Sequence, residues 1–314
     1  MSRQRILALA RAVVAVAVVA ALVWGIARNW SQISADLSRV SLGELLLSVV
    51  PAALGTWLTM LGWRVILADL GSPLHLAPAA GVFFVGQLGK YLPGSVWTVL
   101  VQADMASHLH VPRRRTGVAG LVTIGMSVLT GLLVGLPAVP LLLRQSGGGL
   151  VWVVLAVPVL ALLLWPALLN RIVALGLRVL RREPLDRGLS ARAVLLTVLL
   201  YCLAWLCFGL HIFVLARAVG GAAAEVAVPS LTGYALAGAL GMLTVILPAG
   251  LGARDGILAL VLASAIPLSA GAAVALVSRF VVTVVDVAAA GVGWAYARRH
   301  HLVRSRAEAP LPPV

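Results

Sequence analysis

The sequence predicts an all-α polytopic membrane protein with about six full spans and two broken, re-entrant hairpins. Of its 314 residues, 61% are hydrophobic and only 11% are charged, whereas soluble domains contain about 25% charged residues. Runs of about 20 apolar residues, the length that crosses a bilayer as a helix, recur along the chain. A transmembrane barrel would instead show segments of about 10 residues with alternating hydrophobicity.

Residues 1–314 are expected to form a single integral membrane domain without a soluble catalytic domain, because the polar loops are too short to enclose a core. Arg3, Arg5 and Arg11 precede an apolar run from Ala12 to Ala27, as in a signal peptide, but no clean small-residue cleavage site precedes the next loop. We therefore expect an uncleaved span. The six full spans are predicted at 6–27, 42–67, 116–143, 150–169, 193–215 and 270–296.

The first broken segment runs from Leu76 to Leu109 and is interrupted at Pro93 and Gly94. Proline lacks the backbone N–H that a helix needs, and its ring clashes with the preceding turn. Lys90, the only lysine in the sequence, lies just before this break. A freed backbone at membrane depth is tolerated only where protein or a water-filled cavity covers it. The break therefore predicts a functional site.

The second broken segment runs from Pro229 to Ile266. Its break reads Leu-Pro-Ala-Gly-Leu-Gly, includes Gly250, and is followed within two residues by Arg254. Since Arg254 would lie at membrane depth, it must be paired or face water. A cation therefore accompanies each of the two breaks.

The two broken segments resemble each other in sequence. The pattern Gly-x-Leu-Gly precedes both breaks, starting at Gly86 and again 152 residues later at Gly238. This spacing is close to half the chain and predicts an inverted pseudo-repeat with halves of about 1–149 and 150–314. Chance similarity in a sequence rich in glycine and leucine is the alternative.

The distribution of basic residues predicts the orientation of the chain in the cytoplasmic (inner) membrane. If both termini are cytoplasmic and each broken segment crosses an even number of times, 17 basic residues lie inside and 4 outside. Lys90, Arg254 and Arg279 are then buried. This satisfies the positive-inside rule and makes the first hairpin enter from the cytoplasm and the second from outside. Oppositely entering broken segments in matching halves indicate a transporter site at the midplane.

The buried cations predict an anion site. Lys90 and Arg254 each lie at a break, where the free N–H groups of a half-helix attract anions. The N–H groups from Gly252 to Gly256 would share a phosphate with Arg254, and Ser95 would cap the corresponding arm of the first hairpin. In the alternative interpretation, Lys90 reaches an interface and Arg254 pairs with Asp255.

Two further charges lie in the last span. Arg279 and Asp286 are seven residues apart and therefore share a helix face. Arg279 is expected either to pair with Asp286 or to reach a hairpin tip. The lone His211 in the fifth span is expected to be a hydrogen-bonded packing residue rather than a proton relay.

The sequence carries no signature of an enzyme, a metal site or a cofactor. The patterns His-Glu-x-x-His, Gly-x-Ser-x-Gly and Cys-x-x-Cys are absent. Cys202 and Cys207 lie five apart in one apolar run, a spacing that does not suit a paired metal site. The net charge of +14 does not indicate nucleic acid either, because the arginines lie in loops that would face anionic lipid.

Four stretches of the sequence form a recognisable set of motifs. They begin at Trp63, Gly89, Leu247 and Ser278 and read Trp-Arg-x-x-Leu, Gly-Lys-Tyr-Leu-Pro-Gly-Ser-Val-Trp, Leu-Pro-Ala-Gly-Leu-Gly-Ala-Arg-Asp-Gly and Ser-Arg-Phe. These motifs resemble the lysylphosphatidylglycerol synthase transmembrane-region family, which is related to the flippase domain of the bacterial multiple peptide resistance factor. Ala249 and Asp255 stand where that family usually has glycine and glutamate. The resemblance covers nearly the whole chain, and the synthase activity, which belongs to a soluble domain of that factor, is not expected.

The resemblance implies a flippase-like protein that moves a phosphate-bearing lipid, either a phospholipid or a polyprenyl-phosphate-linked sugar, across the membrane. Lys90 and Arg254 would hold the phosphate, and Tyr91 and Trp97 would line the entrance. Asp255 would meet a cationic head group or gate the path by pairing. The other residues expected at the site are Pro93, Gly94, Ser95, Gly250, Gly252 and Arg279.

Two alternatives belong to other functional classes. The first alternative is an accessory subunit that holds a glycosyltransferase partner at the membrane. In that case substitutions between Arg178 and Arg187 would impair function, whereas Lys90→Gln and Arg254→Gln would not. An intramembrane lipid phosphatase would need a nucleophile or a metal set, which the sequence does not offer. A homo-oligomer is compatible with either class.

Overall fold

The structure is a computed structural model that describes residues 27–28, 30–91, 97–143, 149–179, 181, 185–244 and 252–299. These residues form helices and turns, with no β-strand among them, which confirms the all-α prediction. The predicted span at 6–27, apart from its last residue, lies outside the described residues, as do the break residues Pro93, Gly94, Ser95 and Gly250.

The described residues contain α-helices of very different lengths. These are α1 (Trp30–Leu37), α2 (Leu42–Asp69), α3 (Leu76–Gln87), α4 (Trp97–Ser107), α5 (Arg113–Gly135), α6 (Val139–Leu143), α7 (Gly149–Leu163), α8 (Pro166–Val179), α9 (Ala191–Ala218), α10 (Ala223–Leu243), α11 (Ala253–Leu262) and α12 (Leu268–Arg299). Short 3₁₀ turns extend α3 over Leu88–Tyr91 and join α5 to α6 over Leu136–Ala138. Five helical stretches within the described ranges are long and apolar enough to cross a bilayer, namely α2, α5 with α6, α9, α10 and α12, and the bent pair α7–α8 adds a sixth.

The predicted span at 150–169 is not one straight helix. Helices α7 and α8 meet at a bend of 61° just before Pro166, because the residue that precedes a proline avoids the helical conformation and proline suits the first position of a new helix. Helix α8 then continues through the stretch from Asn170 that the sequence predicted as a loop. Its polar residues Asn170, Arg171 and Arg178 share one side, a pattern typical of helices that lie in a membrane interface.

The helices of the two broken segments differ in length. Helices α3 and α4 have 12 and 11 residues, or about 18 and 16 Å at 1.5 Å per residue, well short of a hydrocarbon core of about 30 Å. Helix α10 begins at Ala223, six residues before the predicted start at Pro229, and its 21 residues span about 31 Å. The first arm of the second segment is therefore long enough to cross the hydrocarbon core, whereas neither arm of the first segment is.

The long helices α2 and α9 share the most extensive helix–helix contact of the described residues and run antiparallel along each other. An added Cβ at Gly55 would lie 3.1 Å from the carbonyl oxygen of Ala204 on α9. Gly62 on α2 leaves room for the ring of the buried Tyr201 on α9. Small residues thus allow the two backbones to approach closely, as is common between helices in membranes.

Helix α10 packs equally closely on α9 through Gly209. A Cβ added there would lie 2.5 Å from Cα of Leu231 and 2.6 Å from its carbonyl oxygen. We expect Gly209→Ala to lower the free energy of unfolding by about 1–3 kcal/mol, because the backbone of α10 must move to relieve the clash. Thermal unfolding in detergent measures this effect. The matched control is Gly125→Ala on α5, where an added Cβ meets no atom within 4 Å; an equal loss in both variants would contradict this packing.

Three loops meet at one end of the bundle. The N–H and hydroxyl of Ser190 donate to Asp69 at 2.7 and 2.8 Å. Arg115 donates to the carbonyl of Gly71 at 3.1 Å and pairs with Asp186 at 2.8 Å. The Arg115 guanidinium also lowers the pKa of the Asp186 carboxyl. The arginine count assigns all three loops to the same side of the membrane.

The loops assigned to the other side meet at the opposite end. Arg39, before α2, donates to the carbonyl of Val219, after α9, at 3.5 Å. Between Ser190 and Val219 lie the 28 residues of α9, which separate the two loop clusters by about 42 Å. The grouping of the loops therefore agrees with the positive-inside assignment.

Each broken segment starts and finishes at one end of the bundle. Helix α3 starts near Gly71, and α4 leads back towards Arg115 at the same end. Helices α10 and α11 run antiparallel, since Gly241 lies against Arg254 and Gly221 against Ile266. The second segment therefore opens towards Val219, and the first opens towards the opposite end.

Candidate functional site

The two broken segments, together with α2, α5, α9 and α12, line a cavity of about 260 Å³. Lys90 and Tyr91 line it from the tip of the first segment, and Arg254 lines it from the tip of the second. Arg279 and Asp286 line it from α12. Four of the predicted site residues therefore share one cavity, together with Asp286, which the sequence offered only as a pairing option.

The tip of the first segment is bound to α12 through Asp286. The ammonium of Lys90 lies 2.7 Å from Oδ2 of Asp286, and the hydroxyl of Tyr91 donates to the same oxygen at 2.6 Å. The Asp286 side chain is only 2% exposed, whereas that of Lys90 is 34% exposed. Lys90 thus pairs within the protein instead of reaching an interface, and Asp286 pairs with Lys90 rather than with Arg279.

The tip of the second segment is bound to α12 through Arg279. Its Nη2 and Nε lie 2.8 and 3.0 Å from Oδ2 of Asp255. The N–H of Gly252 donates to the same oxygen at 3.3 Å, and the φ of +85° at Gly252 is a left-handed conformation that suits glycine. Arg279 therefore reaches a hairpin tip instead of pairing with Asp286. The predicted ligand N–H of Gly252 is already used by Asp255.

Arg254 is held less firmly than the other two cations. Its Nε lies 3.5 Å from Oδ1 of Asp255, and neither of these two buried atoms has a hydrogen-bond partner among the described residues. Its Nη1 donates to the hydroxyl of Tyr234 at a long 3.4 Å, and its guanidinium lies 5.4 Å from the Tyr234 ring centroid, a cation–π contact. Since a guanidinium has five N–H donors, Arg254 retains donors for a ligand.

The charges at the cavity do not cancel. Among the described residues, Lys90, Arg254 and Arg279 face two carboxylates, Asp255 and Asp286, which leaves a net charge of +1. The break residues 92–96 and 245–251 contain no charged side chain. Because an uncompensated charge is costly away from bulk water, this arrangement favours an anionic ligand.

An aromatic wall of the cavity was not predicted. The rings of Phe208 and Tyr234 stack with centroids 5.4 Å apart, and Trp205 lies 6.2 Å from Tyr234. Trp205 and Phe208 lie on the unbroken α9, and Tyr234 lies within α10, away from the break. A lone aromatic residue at such positions gives no local signal of a site. Trp97, by contrast, is not among the cavity-lining residues; it begins α4 with its side chain 46% exposed.

The last glycine of each Gly-x-Leu-Gly pattern performs an equivalent role. A Cβ added at Gly89 would lie 2.5 Å from the backbone nitrogen of Thr98, and one added at Gly241 would lie 3.0 Å from Cβ of Arg254. In both segments this glycine therefore lets the first arm pack on the first turn of the second arm.

We expect Gly89→Ala to displace the first tip, because the added methyl group meets backbone atoms that cannot rotate away. The Lys90–Asp286 pair should loosen, and unfolding should become easier by about 1–3 kcal/mol. Thermal unfolding of the purified protein tests this. Gly256→Ala is the control, since a Cβ there meets no atom within 4 Å; if Gly89→Ala were equally harmless, the close contact at the first break would be refuted.

Comparison with known proteins adds one finding. A sequence model of the family described as "Lysylphosphatidylglycerol synthase TM region" matches residues 12–290. The match includes both broken segments and the five charged residues Lys90, Arg254, Asp255, Arg279 and Asp286. Comparison with curated proteins gives no match.

Proposed function

The chain belongs to the lysylphosphatidylglycerol synthase TM region family, and on that premise we propose that it is a flippase-like protein that moves a phosphate-bearing lipid across the cytoplasmic membrane. The observation that carries the proposal is the cavity between the two tips, with its net charge of +1 and the incompletely hydrogen-bonded Arg254. A phosphodiester carries one negative charge and offers several acceptor oxygens, so it matches this excess cation.

In this proposal the two broken segments are hairpins that open towards opposite faces of the membrane. The first is re-entrant, and the second contains one arm, α10, of about the thickness of the hydrocarbon core. The short α3 and α4 and the antiparallel contacts within each segment support this arrangement. The order of elements supports an inverted pseudo-repeat, since a 28-residue helix, a broken pair and a long helix follow one another in both halves. Both termini would be cytoplasmic, as the arginine count predicts.

Helix α12 would couple the two hairpins. Asp286 holds the first tip and Arg279 holds the second, about 10 Å apart along one helix face. A lipid phosphate beside Arg254 would compete with Asp255 for the guanidinium groups and weaken the contact at the second tip. Movement of one hairpin would then open the cavity towards one side while the other stays closed, as alternating access requires.

Lipid movement is measured in vesicles that contain the purified protein and a fluorescent phospholipid or a fluorescent polyprenyl-phosphate sugar. A reductant that cannot cross the bilayer bleaches only the outer leaflet unless the protein exchanges the lipid. We expect wild-type protein to make the label of at least one probe fully accessible. Bleaching confined to the outer leaflet for both probes, with or without a proton gradient, would refute the proposal.

The accessory-subunit alternative makes the opposite prediction for the site residues. If the cavity carries lipid, Lys90→Gln should slow the exchange, and Arg113→Gln, an exposed position paired with Asp104, should not. Lipid exchange at the wild-type rate in Lys90→Gln and Arg254→Gln would show that the lipid does not pass through the cavity.

A further inference from the structure

From the charges and hydroxyl groups of the cavity we infer the head-group class of the lipid: a neutral polyol joined to a singly charged phosphodiester. The inference rests on the proposed lipid movement and narrows its substrate. Both carboxylates are already engaged, Asp286 by Lys90 and Tyr91, and Asp255 by Arg279 and the Gly252 N–H. A cationic head group would therefore have to displace Lys90 from Asp286 or Arg279 from Asp255.

The charge balance excludes a head group that brings a positive charge of its own. With a single phosphodiester bound, the net charge of +1 falls to zero. A zwitterionic or aminoacylated lipid would leave an ammonium in the cavity without a counterion, which is costly away from bulk water. Of the two roles that the resemblance implies for Asp255, this inference keeps gating by pairing and not contact with a cationic head group.

The hydroxyl groups that line the cavity are available as acceptors. Each of five threonines gives its proton to a backbone carbonyl of its own helix, at distances of 2.6–3.0 Å. A hydroxyl has one proton and two lone pairs, so these oxygens can still accept hydrogen bonds from a ligand. The five are Thr56, Thr59, Thr123, Thr244 and Thr283.

A polyol fits these acceptors and the aromatic wall. Its O–H groups donate to the threonine oxygens, and its apolar face can lie on the rings of Phe208 and Tyr234. The cavity of about 260 Å³ lies just below the range of about 300–1,000 Å³ that holds drug-sized ligands. It therefore suits a head group with its phosphate but not the lipid chains. A glycerol-type phospholipid and a glycosyl phosphoprenol share this chemistry.

The test compares four fluorescent lipids in vesicles that contain the purified protein: phosphatidylglycerol, phosphatidylmethanol, phosphatidylcholine and a glucosyl phosphoprenol. We expect phosphatidylglycerol to exchange at least about tenfold faster than phosphatidylcholine, since a hydrogen bond to a charged group strengthens an interaction by about that factor. It should exchange about two- to tenfold faster than phosphatidylmethanol, which has the charge but no head-group hydroxyl. The faster of phosphatidylglycerol and the glucosyl lipid identifies the source of the polyol.

The double variant Thr59→Val with Thr123→Val separates the hydroxyl contribution from the charge. It should slow phosphatidylglycerol and leave phosphatidylmethanol unchanged. Equal rates for phosphatidylcholine and phosphatidylglycerol would overturn the charge argument, and equal rates for phosphatidylmethanol and phosphatidylglycerol would overturn the polyol argument. In both cases lipid still moves and the proposed function stands, whereas exchange of none of the four lipids counts against the function itself.

Discussion

Replacing Asp286 with asparagine is expected to lower the free energy of unfolding by about 3–5 kcal/mol, the usual cost of removing one partner from a buried ion pair. Asp286 is almost fully buried and holds both Lys90 and Tyr91 through one carboxylate oxygen. The variant leaves the Lys90 ammonium without its counterion and frees the first tip from α12. Thermal and denaturant unfolding of the purified protein measure the loss, and lipid exchange should stop with it.

A second variant tells an unpaired charge from a general packing defect. In Lys90→Met with Asp286→Asn neither charge of the pair remains, so the double variant should recover much of the stability lost in Asp286→Asn. It should not recover lipid exchange, because the first tip no longer has its ionic contact with α12. If Asp286→Asn were as stable as wild type, or if the double variant were less stable than the single one, the pair would not hold the tip.

Replacing Arg254 with glutamine is expected to slow lipid exchange by about 10- to 100-fold, since a hydrogen bond to a charged group is worth about 1.5–3 kcal/mol. The substitution reduces the net charge of the cavity from +1 to zero and removes the guanidinium that would meet the phosphate. Stability should change much less than in Asp286→Asn, because Asp255 keeps its contact with Arg279. Exchange rates and unfolding are measured on the same preparation.

Arg254→Lys and Arg113→Gln complete this experiment. Arg254→Lys keeps the charge but loses the planar fork that binds a phosphate through two N–H groups, so it should retain part of the activity. Arg113, the first residue of α5, forms an exposed ion pair with Asp104, and its substitution should leave exchange unchanged. Exchange by Arg254→Gln at the wild-type rate would show that the phosphate does not meet this residue.

The two breaks were predictable because proline and glycine disrupt helices by local chemistry. The same holds for the cations beside them, since a charge in an apolar run stands out in the sequence. The sequence therefore predicted that Lys90 and Arg254 belong to one site. The pairing of their carboxylates was not predictable: Asp286 lies within reach of Arg279 along its own helix, and only the packing of α12 against both tips decides that it pairs with Lys90.

Three other features were not predicted, each for its own reason. The bend before Pro166 has a local cause and was missed because the apolar run continues through it. The start of α10 ahead of Pro229 was missed for the opposite reason, since a proline within the helix was taken as its boundary. The aromatic wall forms where Tyr234, within α10, packs against Trp205 and Phe208 of α9, so no local pattern could indicate it.

The central claim, that a lipid phosphate enters the cavity beside Arg254, is tested most directly by photo-crosslinking in vesicles. The probe is phosphatidylglycerol with a photoreactive group on the glycerol head, and mass spectrometry locates the modified residues. We predict labels on cavity residues such as Tyr234, Met242 and Thr244, and a loss of these labels in Arg254→Gln. Labels confined to exposed positions such as Leu199 on α9, and unchanged in Arg254→Gln, would contradict the claim.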